Sequence, residues 1–179
     1  MTNYFDGYSV KNITQLSGEH KEAFFALAEE NLPGSSPDKM KKYSELFPAA
    51  FVTLVEDDTV VGVTFGWLRS IEHPDDDSFT LDGIAVRWGC QKKGYGKILL
   101  NAFEKAAADY GAPSVSVGSA GGYVERFYID CGYIPKHYKI WIDGAPVIVK
   151  EFSDMADYNA YIRKSDDGFV VLEKQISVI

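Results

Sequence analysis

The stretch Ile84-Ala85-Val86-Arg87-Trp88-Gly89-Cys90-Gln91-Lys92-Lys93-Gly94-Tyr95-Gly96-Lys97 decides how this chain is read. It begins as an apolar strand, passes through glycines, and leads into residues whose apolar members recur at helical spacing. That pattern predicts a strand, a tight turn and a helix ending near Tyr110, with Leu99, Phe103, Ala106 and Tyr110 on its buried side. Glycines at 94 and 96 let the backbone turn sharply and let a ligand come close. The free amides at a helix start, together with its dipole, form an anion site. Arg87, Lys92, Lys93 and Lys97 add four positive charges in eleven residues, with no acidic residue among them. By physical logic this is a phosphate cradle; a plain glycine turn beside a solvated basic run is the alternative. Gly89 and Gly94 have the interval of a Walker loop, but Tyr95 follows where lysine is required. Leu99 stands where a dinucleotide fingerprint needs its third glycine.

Working upstream, residues 8–13 read as a strand. A helix over 18–32 follows, capped by Ser17, with Phe24, Leu27, Ala28 and Leu32 on one face and Pro33-Gly34 as its stop. Ser36-Pro37 starts a second helix, whose stripe is Met40, Tyr43, Leu46 and Phe47. Residues 50–55 and Thr59–Leu68 form a hairpin about Glu56-Asp57-Asp58, and Phe79–Val86 is a third long strand. Downstream come a strand over 114–117, a short helix over Gly122–Asp130, and a hairpin of 133–142 and 147–152 about Asp143-Gly144. A helix capped by Ser153, with Met155, Tyr158 and Ile162 aligned, precedes a β-rich tail over 168–179. The alternation of strands and helices gives an α/β or α+β class with a mixed sheet.

The 179 residues suit a single domain over 1–179. Hydrophobic content of 46% with 25% charged residues is globular and rules out wholesale disorder. A net charge of −8 argues against nucleic acid as a partner, because phosphate-backbone binding wants a basic face. It leaves room for a small anion, which needs only a local patch. Residues 1–6 lack the basic stretch and apolar core of a signal peptide, and no run approaches the roughly 20 apolar residues of a membrane span. Cys90 and Cys131 form no CxxC, and His20, His73 and His137 lack ligand spacing. The expectation is a cytoplasmic protein with no metal and with neither nucleic acid nor membrane as partner.

Gln91-x-x-Gly94-x-Gly96, following Ile84-Ala85-Val86 and opening an amphipathic helix, resembles the pyrophosphate-binding signature of the GNAT family of N-acetyltransferases. Phe127-Tyr128-Ile129-Asp130-Cys131-Gly132-Tyr133 resembles that family's aromatic-Tyr-x-x-x-Gly-aromatic segment. The order of elements over about 8–152 is similar as well. The resemblance implies an α/β (α+β) fold: a mixed, mostly antiparallel central sheet flanked by helices, with splayed central strands. It implies acetyl-CoA as cosubstrate and transfer of its acetyl group to a primary amine by direct attack, the acceptor being a small molecule or a peptide. A non-catalytic GNAT-like acyl-CoA-binding sensor or interaction module is the alternative.

By the same resemblance, the backbone of Gln91, Lys92, Lys93, Gly94, Tyr95, Gly96 and Lys97 would hold the pyrophosphate. Ile84, Ala85 and Val86 would pair with the pantetheine arm like an added strand, with the Val86 amide as oxyanion donor. Tyr128 is the expected general acid to the leaving thiolate, since a phenol of pKa about 10 stays protonated at neutral pH; core packing beside Phe127 is its plainer reading. Asp82, placed by period-two alternation on the side of Ile84 and Val86, is the candidate base, directly or through water; a turn or pairing role is the alternative. Direct acylation of the amine leaves no part for Cys90 or Cys131 as acyl carriers. Trp88 stands where the family commonly has proline, Gly121 where an asparagine binds cofactor, Val124 where alanine is usual, and Thr80 where some relatives place a carboxylate. Tyr43, Phe47, Trp67, Tyr133, Tyr138 and Trp141 are candidates for the acceptor wall. The extension over 153–179 lies beyond the resembling core and reads as an extra layer, a lid or the contact of a homodimer.

Overall fold

The structure is a computed structural model that describes residues 7–119, 121–161 and 167–176. Among these residues eight strands form one sheet: β1 (Tyr8–Asn12), β2 (Val52–Glu56), β3 (Thr59–Leu68), β4 (Phe79–Val86), β5 (Ser114–Ser119), β6 (Ile134–Ile142), β7 (Ala145–Glu151) and β8 (Gly168–Gln175). Among the described residues five α-helices accompany them: α1 (Gly18–Asn31), α2 (Pro37–Leu46), α3 (Tyr95–Asp109), α4 (Gly122–Asp130) and α5 (Met155–Ala160). The spatial order is β1-β2-β3-β4-β5-β8-β6-β7, and every neighbouring pair is antiparallel except β4 and β5. The fold class is therefore the mixed, mostly antiparallel sheet flanked by helices that the resemblance implied.

Local chemistry accounts for most boundaries. The Ser17 hydroxyl accepts the His20 amide at 3.2 Å, and the Ser36 hydroxyl accepts that of Lys39 at 3.4 Å, which fixes the starts of α1 and α2. At α5 the cap is Asp154, which accepts from the Asp157 amide at 2.8 Å; Ser153 turns instead toward the Asp157 carboxylate. Ile162 and the last residues of the tail, 177–179, lie outside the described residues, as do residues 1–6.

The extension is not a separate layer. Its strand β8 lies inside the sheet, pairing with β5 from Ser114–Gln175 to Ser119–Val170 and with β6 from Ile134–Glu173 to Ile140–Gly168. Val170 and Leu172 are buried with the main core, as are Tyr133 and Tyr138. Nothing in the local pattern of 168–175 distinguishes a closing edge strand from an inserted one.

The feature that creates a site is the parting of β4 from β5. They pair only at Phe79–Val115, Thr80–Ser116 and Leu81–Val117. Beyond that point β4 continues on β3 alone, to Gly62–Val86. The cause is visible in the register: Phe65 faces Gly83 while Gly66 faces Leu81, so Asp82 is an extra residue, a bulge that bends the strand. Gly66 is the residue that permits it, because a Cβ there would lie 1.9 Å from the Thr80 carbonyl oxygen.

Candidate active site

A cleft of about 630 Å³ opens where β4 leaves β5 and runs to the start of α3. Ile84, Ala85 and Val86 form one wall, and Gln91, Lys92, Gly94, Tyr95, Gly96 and Lys97 form its head. The Arg87 amide donates to the Val61 carbonyl of β3 at 2.8 Å, so by alternation the Val86 and Ile84 amides face the open side. The Gln91 side-chain amide reaches the Val86 carbonyl at 3.4 Å and folds the loop back over that edge.

The loop is built for free donors. Gly94 is the N-cap of α3 at φ +82°, a left-handed conformation that costs an ordinary residue roughly 1–2 kcal/mol. Lys92 shares that region at φ +66°. The helix's own bonds begin with the Lys97 and Ile98 amides donating to the Gly94 carbonyl. Among the described residues the amides of Gly94, Tyr95 and Gly96 meet no protein acceptor, and they sit at the positive end of a 15-residue helix.

The four basic side chains do not act together. Lys92 and Lys97 line the cleft. Arg87 is turned back, its Nε donating to the Val60 carbonyl at 3.1 Å. The Lys93 ammonium leaves the cleft and sits 3.3 Å from the Glu56 carboxylate. The Tyr95 hydroxyl also donates to Glu56, while its ring is buried against Leu54 and Leu99. That bond, and then burial, push the Tyr95 hydroxyl up to about 12. The same bond, helped by Lys93 and opposed by burial, holds the Glu56 carboxyl below its usual range. Lys93 and Tyr95 thus clasp the start of α3 to the end of β2.

Three aromatic residues that the motifs did not single out as cleft residues complete it: Trp88, Tyr123 and Phe127. Trp88 is 87% exposed and Tyr123 83% exposed, a loop tryptophan and a helix-start tyrosine that no core takes up. Their signal in the sequence is a large aromatic residue beside glycine in a turn, Trp88-Gly89 and Gly122-Tyr123.

Tyr128 lies on α4 and is 3% exposed, within the core beside Phe127 and Tyr133 and outside the cleft lining. Burial raises its hydroxyl well above the ordinary phenol value. Among the described residues that hydroxyl meets no hydrogen-bond partner. Burial also raises the Cys131 thiol, which keeps it from acting as a thiolate.

Asp82 corrects an expectation. Alternation placed it on the side of Ile84 and Val86, but the bulge breaks the period, and its carboxyl faces Ser35, Lys39 and Glu72 around the α1–α2 loop. It keeps contact with solvent, yet desolvation by the surrounding atoms raises its carboxyl above the usual range; Ser35 and Lys39 oppose this and Glu72 adds to it. Beside it the Lys39 ammonium is 2.8 Å from Glu72, and the Tyr43 hydroxyl donates to Glu72 at 3.1 Å. Tyr43 stacks on Trp67 with centroids 4.4 Å apart. Of the other wall candidates Phe47, Tyr133 and Tyr138 are core residues, while Trp141 is 55% exposed.

A sheet parted at a strand bulge, with a helix start at the head of the gap, leaves an open strand edge that leads to an anion-favouring helix terminus. The model of the acetyltransferase (GNAT) family matches residues 17–133, and the chain belongs to that family. Among solved structures it is similar to Ard1 from Thermoplasma volcanium, at 15% identity and TM-score 0.67, covering 96% of this chain and 99% of that one. It is also similar to Arabidopsis thaliana Naa50 in complex with the bisubstrate analogue CoA-Ac-MVNAL, at 14% identity and TM-score 0.66, covering 96% and 100%. An aminoglycoside 6'-acetyltransferase type Ii matches at 18% identity and TM-score 0.63, covering 94% and 97%. At these identities the likeness is one of fold. No curated protein sequence matches the chain.

Proposed function

We propose that the protein is an acetyl-CoA-dependent N-acetyltransferase whose acceptor is a primary amine. One observation carries this reading: the unpaired edge of β4 and the free amides of α3 meet in a single cleft. The edge suits the amide-rich pantetheine arm as an added strand, and the helix start suits the pyrophosphate, with Lys92 and Lys97 as cations. Trp88 and Tyr123 flank the mouth.

The acceptor enters from the opposite face of the sheet, where Asp82 meets the α1–α2 loop. Its amine, near pKa 10 in water, must lose a proton before attack. Asp82 takes that proton, directly or through water. The nitrogen bonds to the acetyl carbonyl carbon, the Val86 amide steadies the developing oxyanion, and the carbon–sulfur bond breaks. Tyr128 gives its proton to the thiolate and is restored by the second proton that the nitrogen sheds as the amide forms, and the amide and free coenzyme A leave. Peptide amines, as in the Naa50 analogue complex, and aminoglycosides are the two acceptor classes that the similar structures name.

Isothermal titration with acetyl-CoA is expected to show one site, and an amine panel is expected to release free thiol. Binding of ATP or NAD without binding of coenzyme A would overturn the cradle. Asp82→Asn is expected to lower kcat about 10²-fold and to flatten the rise of kcat/KM with pH; an unchanged rise places the base elsewhere. The burial of Tyr128 outside the cleft supports a second reading, an acyl-CoA-binding module without turnover, and thiol release separates the two.

A further inference from the structure

Among the described residues the non-glycine residues with positive φ are Asp57, Asp58, Asp143 and Lys92. The three aspartates sit in the β2–β3 and β6–β7 turns, where a short polar side chain makes the left-handed region tolerable. Lys92, at φ +66°, has no such side chain, and the position would suit glycine better. Backbone strain kept at the lip of a ligand cleft points to a use for the side chain that it carries.

Lys92 is exposed and lines the cleft. Lys93 beside it is tied to Glu56, whereas among the described residues no carboxylate lies within ion-pair distance of the Lys92 ammonium. The other cation of the cleft, Lys97, belongs to the helix start. It is the third residue of α3 after the Gly94 cap, in a first turn without acidic residues. Helical side chains lean toward the N-terminus, so its stem runs back along the free amides. A cation there opposes the helix dipole unless an anion lies on those amides, which is the place of the pyrophosphate. Lys92 precedes the cap, on the same loop as Trp88. Trp88 and Tyr123, 87% and 83% exposed, line the cleft with it. Flat rings left in water and a free ammonium in one cleft suit a purine nucleotide, whose base stacks and whose phosphate pairs.

We infer that Lys92 pairs with the phosphomonoester on the ribose of coenzyme A, so that the protein selects coenzyme A over its dephospho form. The inference rests on the acetyl-CoA reading and gives one of the cleft's two cations a partner apart from the pyrophosphate. A phosphomonoester carries about −1.5 to −2 charges at neutral pH, more than either phosphate of a pyrophosphate diester, and so rewards a lone ammonium most. The strained turn and the free side chain then have one explanation: the bend aims the ammonium outward, past the helix start.

The test is calorimetric titration of the full chain with coenzyme A and with dephospho-coenzyme A, which lacks only that phosphate. The parent is expected to bind coenzyme A about fivefold more tightly, a preference that shrinks as salt is raised. In Lys92→Gln, which keeps the bend and loses the charge, the two ligands are expected to bind alike, at the parent's affinity for the dephospho form. Lys92→Gly is expected to lose the preference too while melting no lower than the parent, because glycine accepts the left-handed bend. The parent's preference is informative even if a variant does not fold. Equal affinity of the parent for both ligands overturns the pairing. So does equal weakening of both ligands in Lys92→Gln, which would put Lys92 on the pyrophosphate. Either result leaves the acetyl-CoA reading intact, whereas binding of neither ligand by the parent overturns both.

Discussion

At the scale of single residues, one side chain and one glycine make separable claims. The Tyr128 side chain is buried and its hydroxyl meets no partner among the described residues, so removing the hydroxyl should cost the fold little. Tyr128→Phe is therefore expected to melt like the parent while losing about 10²-fold in kcat, with KM for acetyl-CoA retained. Unchanged turnover across pH would end its role as acid and return it to core packing. Gly94→Ala tests the cradle. Nothing lies within 4 Å of the added Cβ, so the penalty is conformational: φ is +82°, a cost of roughly 1–2 kcal/mol. Titration should show weaker acetyl-CoA binding, with Gly94→Asn falling between, since asparagine tolerates the left-handed region. Gly96→Ala is the control, because its Cβ would make ordinary contact with Phe127 at 3.5 Å and φ is not positive. If Gly94→Ala binds acetyl-CoA no worse than Gly96→Ala, the loop conformation is not what holds the anion.

At the scale of elements, the clasp between β2 and α3 has a definite pH window. Glu56 is held below its ordinary value, chiefly by the Tyr95 bond, so its contribution is full above the unfolded carboxylate's titration and is lost as pH falls through the lowered value. Tyr95 is raised to about 12, so its contribution is present below the unfolded value near 10 and is lost as pH rises through about 12. Tyr95→Phe should therefore lower the melting temperature most at neutral pH and much less at pH 3. A difference that is the same at both pH values would show that Tyr95 matters through packing alone. This pair also marks the limit of what the residues disclose in order. Glycines, caps and proline announced α1, α2 and α3, because those signals act within a few residues of themselves. Lys93 read as part of a basic cradle, because its partner is 37 positions away in the chain. The facing of Asp82 was illegible for a related reason. Phe79–Val86 alternates smoothly as a sequence, and the bulge exists only in its register with Phe65 and Gly66.

At the scale of the whole molecule, the C-terminal strand decides whether the sheet is one body. The hairpin β6–β7 follows β5 in sequence, and adjacency would have placed it directly beside β5. Instead β8 separates them, so the half-sheet beyond the cleft depends on residues 168–175. Leu172 stands at the centre, facing Val117 on one side and Pro135 on the other, with no exposed surface. Leu172→Ala is expected to cost about 2–5 kcal/mol, read as a lower urea midpoint with the slope unchanged. Val149→Ala on the edge strand β7, where the side chain is 46% exposed, should stay within about 0.5 kcal/mol. A loss at Leu172 no larger than at Val149 would mean that β8 is an outer appendage. A large loss, accompanied by weaker acetyl-CoA binding near the midpoint, would show that the far side of the cleft is anchored through the last strand of the chain.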